Sequence, residues 1–549
     1  MVPHGSLFNT PQGEIMKIDL KHKEVPLLFI VLFAVVTWSP QYALRGLWEP
    51  DEPRYTYVAW EMAQSGNDLL PQRNGEFYSH KPPLMFWLIQ AGTLLTGGKY
   101  NGISGRLPTL LGIILSLWAF AKISAMWYGR ETAWWALFIL STSFLFWHKG
   151  GTGQIDMLLL GLELYALYFL FQNDVSPTPW YSAAAFSCMG LAILAKGPVG
   201  LIVPCGIYIT ANWLSGQPNV ILKKQWMWGI PLALAFPLIW LLLTKISGAP
   251  DAYFNEVLFA QNLGRLEGNF GGHYKPFYYY IQYLFLDFMP WTFFMPLAGV
   301  LLAQKTEFKK QTRLLVGWIL FVVIFFSLCG GKRNLYILSV YPAAALLLAS
   351  VLPFMRTASS RWKKWSVYPV LGLFLLLGVG LFISLFIPSP ISRISWTIPA
   401  GGAILLVVGP VLLYRLHDQA PMEKKWFGAF ILFVFFLLFY IGTVVFPAFN
   451  PIKTPAVASR SIAEILPETQ PILYYDMNGE IISLYAGRQG KRLDDTASLV
   501  LAMKKTKKGV LVFSMKKWES LAPLINTFGQ KTPFKMGSKH LAWFAYDIQ

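Results

Sequence analysis

The stretch WEPDEPRY places three carboxylates, Glu49, Asp51 and Glu52, within four positions and follows them with Arg54. This cluster comes directly after an apolar run at 25–44 that is long enough to cross a bilayer. Carboxylates so placed can orient or deprotonate a reacting group, or can simply stabilise the start of a helix. The helical spacing of the apolar residues that follow predicts an amphipathic helix, which Asp51 and Glu52 cap.

Basic residues form a second set, because many of them lie beside Gly or Pro at the ends of apolar segments. Charged groups at the edge of hydrocarbon are costly unless they are paired or functional. Several cations in one layer indicate a site for a lipid phosphate or diphosphate, and the alternative is contact with lipid headgroups. The residues concerned are Arg54, Lys81, Arg106, Lys149, Lys196, Arg265, Lys275, Lys332 and Arg333.

Asp156 and two imidazoles, His80 and His273, lie near the same boundaries. His80 precedes Lys81 and two prolines, which fix the backbone that enters a short apolar segment. An imidazole in this position is a candidate proton carrier or metal ligand, and an ordinary polar contact is the alternative.

Composition identifies the setting of these residues. Of 549 residues, 55% are hydrophobic and 13% are charged, which is about half the charged share of soluble domains. Long apolar runs recur from residue 25 to residue 446, so we predict a polytopic α-helical membrane protein. The net charge of +18 is typical of basic cytoplasmic loops, and we therefore do not expect nucleic acid as a partner.

The positions of Lys and Arg predict the topology. If the short run at 83–97 is interfacial and the N-terminus is cytoplasmic, the most basic loops all lie inside. This predicts about 13 transmembrane helices, an outer C-terminus, and long outer loops at 45–105 and 247–280.

The last hundred residues differ from the rest in pattern. PILYYDM, GVLVFSM and LAWFAYDI read as short strands, separated by helical patterns near 457–466, 479–486 and 496–505. We therefore predict a transmembrane domain at 1–447 and a small soluble α/β domain at 448–549.

WEPDEPRY followed by HKPPLMFW resembles the first-loop signature of GT-C membrane glycosyltransferases. The chain is similar to the protein-O-mannosyltransferase superfamily, and within it to the lipid A aminoarabinose transferase (ArnT-like) branch, glycosyltransferase family 83. Two positions depart from the pattern, because His80 replaces a commonly acidic residue and Lys332-Arg333-Asn334 replaces Lys-Leu-Pro. The other matching motifs are SGRLPTLLG, GQIDMLL, LAKGPVG, QNLGRLEGNFGGHYKPFYYYI and GGKRNLYILSVYP.

The resemblance implies transfer of a sugar, such as an aminoarabinose-like pentose, from undecaprenyl phosphate to lipid A or a related surface glycolipid. Transfer would take place on the periplasmic face of the bacterial inner membrane, among membrane lipids, by a single displacement with inversion. No cofactor is required by this chemistry, and a divalent metal such as zinc, bound by His80 and His273, is left open.

The matching motifs also imply residue roles. Asp51 is the expected catalytic carboxylate, supported by Glu52, and Asp156 is expected to hold the donor sugar or to pair with a nearby cation. Arg54 and His273 are expected to contact the acceptor or the sugar. Two alternatives stay open, a protein O-glycosyltransferase of the same superfamily and a transporter or flippase for lipid-linked sugars. The expected donor-phosphate ligands are Lys81, Arg265, Lys332, Lys196, Arg106 and Tyr336.

Overall fold

A computed structural model describes most of the chain, and the statements below refer to that part. The described residues are 25–257, 275–304, 309–383, 386, 396–419, 422–467, 469–525 and 531–548. Arg265 and His273, two predicted site residues, lie outside these ranges.

Helices dominate the described chain up to residue 453. Nine are long and apolar enough to cross a membrane, and their spans are Leu27–Leu44, Gly102–Tyr128, Ile155–Val175, Gln225–Ile246, Lys309–Leu328, Asn334–Thr357, Ser360–Ile383, Ile398–His417 and Lys424–Ala448. Shorter helices complete this part at Asp51–Ser65, Leu84–Thr93, Arg130–Ser141, Phe144–Gly150, Pro179–Lys196, Val199–Leu214, Asp251–Asn255, Tyr279–Leu286, Met295–Gln304 and Asn450–Lys453. The predicted polytopic helical class is confirmed.

A helix lies at each of the thirteen predicted spans, although not all are straight. One of them consists of two helices, Arg130–Ser141 and Phe144–Gly150, which are separated by Thr142 and Ser143. The run at 83–97, predicted to be interfacial, is a short helix at Leu84–Thr96. Within the described residues, nine of the thirteen are single helices that are long and apolar enough to cross a membrane.

One of the thirteen is a sharply bent pair. Helices Tyr279–Leu286 and Trp291–Gln304 meet at 96°. The first turn of helix Phe144–Gly150 packs against this break, where Phe144 N donates to Met289 O at 3.0 Å and Leu145 N to Asp287 O at 2.9 Å. Two interrupted helices therefore join each other at their interruptions.

The first outer loop is ordered around the helix Asp51–Ser65, which we call the loop helix. It is followed by a small antiparallel hairpin of β1 (Gln72–Arg73) and β2 (Glu76–Phe77). Most of the loop helix is buried, including Asp51 and Glu52 in its first turn. Neither carboxylate is the N-cap, since the N-cap position is Pro50, so the predicted capping role is wrong.

The C-terminal part forms a five-stranded mixed sheet in the order β4-β3-β5-β7-β6. The three predicted strands are present as β3 (Ile472–Tyr475), β5 (Lys508–Ser514) and β7 (Lys539–Asp547). Strands β4 (Gly490–Leu493) and β6 (Thr532–Met536) were not predicted. Helices lie at Ala456–Ile465, Glu480–Ala486, Thr496–Thr506 and Trp518–Ile525.

The sheet packs against the first outer loop through specific polar contacts. Gly490 N donates to the Tyr57 hydroxyl at 3.1 Å, and Arg73 Nε donates to Glu480 Oε1 at 2.5 Å. These contacts place the C-terminal sheet directly over the loop helix. The boundary at 447/448 stays a prediction.

Candidate active site

The loop helix begins with a buried carboxylate cluster centred on Glu52. Its oxygens accept hydrogen bonds from Arg45 at 2.5 Å, from Arg106 at 2.8 and 3.0 Å, and from the backbone N–H groups of Trp48 and Gly153 at 2.9 and 2.7 Å. Burial alone would raise the pKa of Glu52, but Arg106 and Arg45 outweigh it and lower the pKa to about 2. Glu52 is therefore ionised, and both of its carboxylate oxygens accept hydrogen bonds from the protein.

Arg106 completes this cluster with all five of its N–H groups. Besides the two bonds to Glu52, it donates to the carbonyl oxygens of Tyr42, Arg45 and Gly46 at 3.2, 2.8 and 2.7 Å. Its side chain is fully buried. A guanidinium has five donors and no more. The geometry therefore does not support the prediction that Arg106 binds the donor phosphate, and makes it a structural partner of Glu52.

Asp51 faces a different environment. One oxygen pairs with Arg54, and the other accepts from Arg333 at 3.1 Å and from Gln154 Nε2 at 3.3 Å. Burial would raise the pKa of Asp51, whereas Arg54 and Arg333 outweigh it, so the pKa lies below its usual value. Asp51 is thus an ionised carboxylate held by side chains from three separate parts of the chain.

Asp156 lies in the first turn of the helix Ile155–Val175 and forms an ion pair with Lys196, at the end of the helix Pro179–Lys196. The Lys196 ammonium also lies 4.6 Å from the centre of the Tyr336 ring. Three predicted site residues are therefore brought together here.

The segment between Lys149 and Asp156 connects these carboxylates. Gly153 N binds Glu52 and Gln154 binds Asp51, so one short loop contacts both residues of the loop helix. Lys149 is half-buried at its start, with Asp156, Arg333 and Asp51 close enough to influence its charge. Burial lowers the pKa of the Lys149 ammonium.

The segment Lys332-Arg333-Asn334 supplies the remaining contacts. Lys332 is buried, and its ammonium donates to the carbonyl oxygens of Lys275 and Cys329 at 3.0 and 2.5 Å. It keeps one N–H for a ligand. Arg333 binds Asp51, and Asn334 donates to Asp287 at 3.1 Å. The two residues that depart from the Lys-Leu-Pro pattern therefore both make polar contacts at the site.

Lys81 and His80 lie in the same outer loop. Lys81 is half-buried, and the His80 ring stacks on Tyr78 with centroids 5.1 Å apart and an interplanar angle of 17°. Among the described residues, which exclude His273, no three His, Cys, Asp or Glu side chains are grouped closely enough to bind a metal ion.

Sequence reasoning missed three polar residues of this layer and the partner of a fourth. Gln154 and Asn334 lie within the motifs already noted, but amides give no charge signal. Asp287 is a carboxylate inside a predicted apolar span, which is a recognisable functional signal. Arg333 was recognised as a cation, but its hydrogen bond to Asp51 was not predicted. The two residues lie 282 positions apart, and no short stretch of sequence indicates that they meet.

Comparisons with known proteins agree with this architecture. A family model described as dolichyl-phosphate-mannose-protein mannosyltransferase matches residues 80–243. An undecaprenyl phosphate-alpha-4-amino-4-deoxy-L-arabinose arabinosyl transferase of Shewanella sediminis is 30% identical over 332 residues, covering 59% of this chain and 58% of that protein. An uncharacterized protein of Aquifex aeolicus is 24% identical over 447 residues, covering 81% and 83%. The chain thus spans less than two thirds of the named transferase.

The crystal structure of ArnT from Cupriavidus metallidurans bound to undecaprenyl phosphate has the same fold, with a TM-score of 0.76 at 18% identity. The match covers 94% of this chain and 97% of that one. The fold likeness extends over the C-terminal sheet as well as the helices. The chain is thus similar to ArnT-type transferases over about three fifths of its length and shares the ArnT fold.

Proposed function

We propose that this protein transfers a sugar from undecaprenyl phosphate to lipid A or a related surface glycolipid, on the periplasmic side of the inner membrane. The observation that carries the proposal is the ionised Asp51, buried at the start of the loop helix between Arg54 and Arg333. Relatives that are named for this reaction, and the bound lipid phosphate in the ArnT structure, support the choice of donor.

The proposed reaction is a single displacement at the anomeric carbon. The bond from this carbon to the donor phosphate oxygen breaks, and its electron pair leaves with undecaprenyl phosphate. An acceptor oxygen forms the new bond from the opposite face, which inverts the configuration. If the acceptor is a phosphate, its oxygen is already ionised and Asp51 orients it; if it is a hydroxyl, Asp51 takes the proton.

Cationic side chains would stabilise the negative charge that develops on the leaving phosphate. Lys196, Lys149 and the remaining N–H of Lys332 lie in the layer around Asp51 and Asp156. Tyr336 borders the same layer through the contact of its ring with Lys196, and Lys81 and Arg265 belong to the proposal by their motifs alone. Asp156 would then hold the donor sugar through its hydroxyl or amino groups.

Since side-chain cations supply the needed charge, we expect transfer to continue after dialysis against EDTA. Loss of activity that zinc restores would instead show that His80 and His273 belong to a metal site. The readout is the rate of sugar transfer by the purified protein in lipid nanodiscs.

The deciding experiment is mass spectrometry of lipid A and surface glycans from cells with and without the gene, combined with transfer by the purified protein. We expect one sugar to be missing from a glycolipid in the deletion strain. An unchanged glycolipid with an altered glycoprotein would favour the protein O-glycosyltransferase.

A transporter or flippase needs charged groups near the middle of the membrane to move a polar headgroup. The ion pairs of Asp51, Glu52 and Asp156 instead lie at one end of their helices, which the predicted topology makes the outer end. The pairs Lys223–Asp174 and Lys424–Glu131 lie at the opposite end, and the buried Glu163, within helix Ile155–Val175, accepts a hydrogen bond from the Ser339 hydroxyl rather than pairing with a cation of the described residues. Sugar-lipid translocation without transfer by purified protein would nevertheless overturn the proposed function.

A further inference from the structure

A groove of about 560 Å³ lies between the loop helix, the segment at 98–102 and the C-terminal helix Glu480–Ala486. Trp60 and Gln64 form the wall on the loop helix, and Leu484 and Tyr485 form the wall on the C-terminal helix. Trp60 follows Asp51 by nine residues, which puts the two side chains on opposite faces and about 14 Å apart along the helix axis. The groove is therefore separate from the Asp51 side chain, although its lining residue Gly102 borders Arg106 of the Glu52 cluster.

The lining has the chemistry of a saccharide site. The rings of Trp60, Tyr100 and Tyr485 offer flat apolar surfaces to the C–H face of a sugar ring. The Gln64 amide provides a donor and an acceptor for hydroxyl groups, and Asn101 provides its NH₂ group, since its amide oxygen already caps the helix Gly102–Tyr128. A pocket that combines several aromatic rings with a few polar groups is the usual composition of a small-ligand site.

The aromatic walls are held in place by their neighbours. Trp60 packs edge-on against Tyr57, with ring centroids 5.5 Å apart, and the Tyr57 hydroxyl accepts the bond from Gly490 N. The Arg73–Glu480 pair attaches the helix that carries Tyr485 to the first outer loop. The C-terminal helix Glu480–Ala486 therefore completes the groove.

The surroundings indicate a ligand that is attached to the membrane. Leu94 and Leu95, at the end of the short apolar helix, are 84% and 78% exposed, and they precede the groove residues Gly98 and Lys99 by only a few positions. Exposed leucines suit acyl chains, while the Lys99 ammonium suits a headgroup phosphate. Lipid and sugar contacts thus lie side by side.

We propose that this groove binds the saccharide headgroup of the acceptor glycolipid, as a second contact away from the reacting atoms. The inference rests on the proposed function only for the identity of that glycolipid. It gives the C-terminal part of the chain a role, because its helix Glu480–Ala486 forms one wall of an acceptor site.

Direct binding tests the groove without catalysis. The probes are the deacylated, phosphorylated glucosamine disaccharide of lipid A and the same disaccharide without phosphate, observed by saturation-transfer NMR with the full-length protein in nanodiscs. We expect signals on the sugar ring protons for both probes, and weaker binding by about three- to tenfold in Trp60→Ala and in Tyr100→Ala. Trp180→Ala, which removes an exposed ring outside the groove, is the matched control.

Steady-state kinetics give the second readout. In Trp60→Ala the KM for the acceptor should rise about three- to tenfold, while kcat and the KM for the donor stay unchanged. Trp60→Phe, which keeps an aromatic face, should recover most of the affinity.

The inference is overturned if neither probe binds, or if Trp60→Ala and Trp180→Ala bind equally well. Binding to phosphatidylglycerol vesicles but to neither disaccharide would also overturn it, and would make the groove a lipid headgroup site. If the disaccharides bind but no sugar is ever transferred, the proposed function fails while the groove inference stands.

Discussion

Asp51 and Glu52 are adjacent carboxylates, both buried and both ionised, yet their surroundings differ in kind. The two arginines that bind Glu52, Arg45 and Arg106, are 2% and 0% exposed, whereas Arg54 and Arg333, which bind Asp51, are 27% and 33% exposed. Glu52 also takes two backbone N–H groups, while Asp51 takes only side chains.

The difference separates a structural carboxylate from a candidate catalytic one. The Glu52 cluster is closed, because every donor of Arg106 already has a partner. The Asp51 partners are flexible side chains that can exchange a bond to Asp51 for a bond to substrate. The Glu52 cluster therefore fixes the first turn of the loop helix, and this turn positions Asp51.

The largest expected effect on activity comes from Asp51→Asn. This variant keeps the shape of the side chain but removes its charge, so we expect transfer to fall by about 10²–10⁴-fold with the thermal unfolding temperature preserved. A transfer assay and an unfolding curve on the same purified sample measure both quantities. A near-native transfer rate would remove Asp51 from the catalytic role.

Arg106→Met should act on stability instead. The change leaves a buried Glu52 short of its main partner, and breaking such a pair costs about 3–5 kcal/mol. The unfolding temperature in detergent should fall strongly, and Glu52→Gln in the same chain should recover part of the loss. If Arg106→Met stays stable but binds the donor weakly, Arg106 is a phosphate ligand after all.

The Asp156–Lys196 pair should show an intermediate effect. Lys196→Met removes a cation from the candidate donor site, and we expect the KM for the donor to rise about 10-fold, as for loss of one charged hydrogen bond. The exposed pair Lys245–Asp251 offers a matched control, since Lys245→Met should change neither KM nor kcat. Equal behaviour of the two variants would contradict a role for Lys196.

The smallest effect at neutral pH is expected for Arg333→Leu, which restores the residue of the related pattern. Arg333 helps to lower the pKa of Asp51, so its removal raises that pKa. Arg54 still faces Asp51 in this variant, so we expect little change at pH 7. The acid limb of kcat/KM, which reports loss of the Asp51 charge as pH falls, should move to higher pH. Arg492→Leu, in the C-terminal sheet, should leave the limb where it is.

The fold class was predictable because apolar length and basic loops are strong local signals. The helix that follows Asp51 and the three strands of the C-terminal sheet were likewise predicted close to their positions. The interruption at Thr142 and Ser143 was not predicted, because Ser141, Thr142 and Ser143 are too few polar residues to divide the apolar run in which they lie. Strand β4 (Gly490–Leu493) was also missed, since its sequence GKRL lacks the alternation of a half-buried strand.

The candidate site was predictable by residue type but not by pairing. Charge at a membrane boundary identified Asp51, Asp156 and Lys196, and the structure brings them into one layer. The same signal grouped Arg106 with the phosphate ligands, because a sequence shows a charge and not the five partners that occupy it. Contacts between residues that are far apart in the sequence are set by packing, and no short stretch of sequence predicts them.

The joint between helix Phe144–Gly150 and the break before Trp291 has a further consequence. Inside a bilayer, a backbone group without a partner costs several kcal/mol, and lipid cannot supply the missing bond. Here the free N–H groups of one interrupted helix meet the free carbonyls of the other. Each interruption therefore supplies the hydrogen-bond partners that the other one lacks. A one-residue insertion in either segment would leave the backbone groups of both without partners. It would also shift Asp287, which accepts a hydrogen bond from Asn334, and Asn334 follows Arg333, the partner of Asp51.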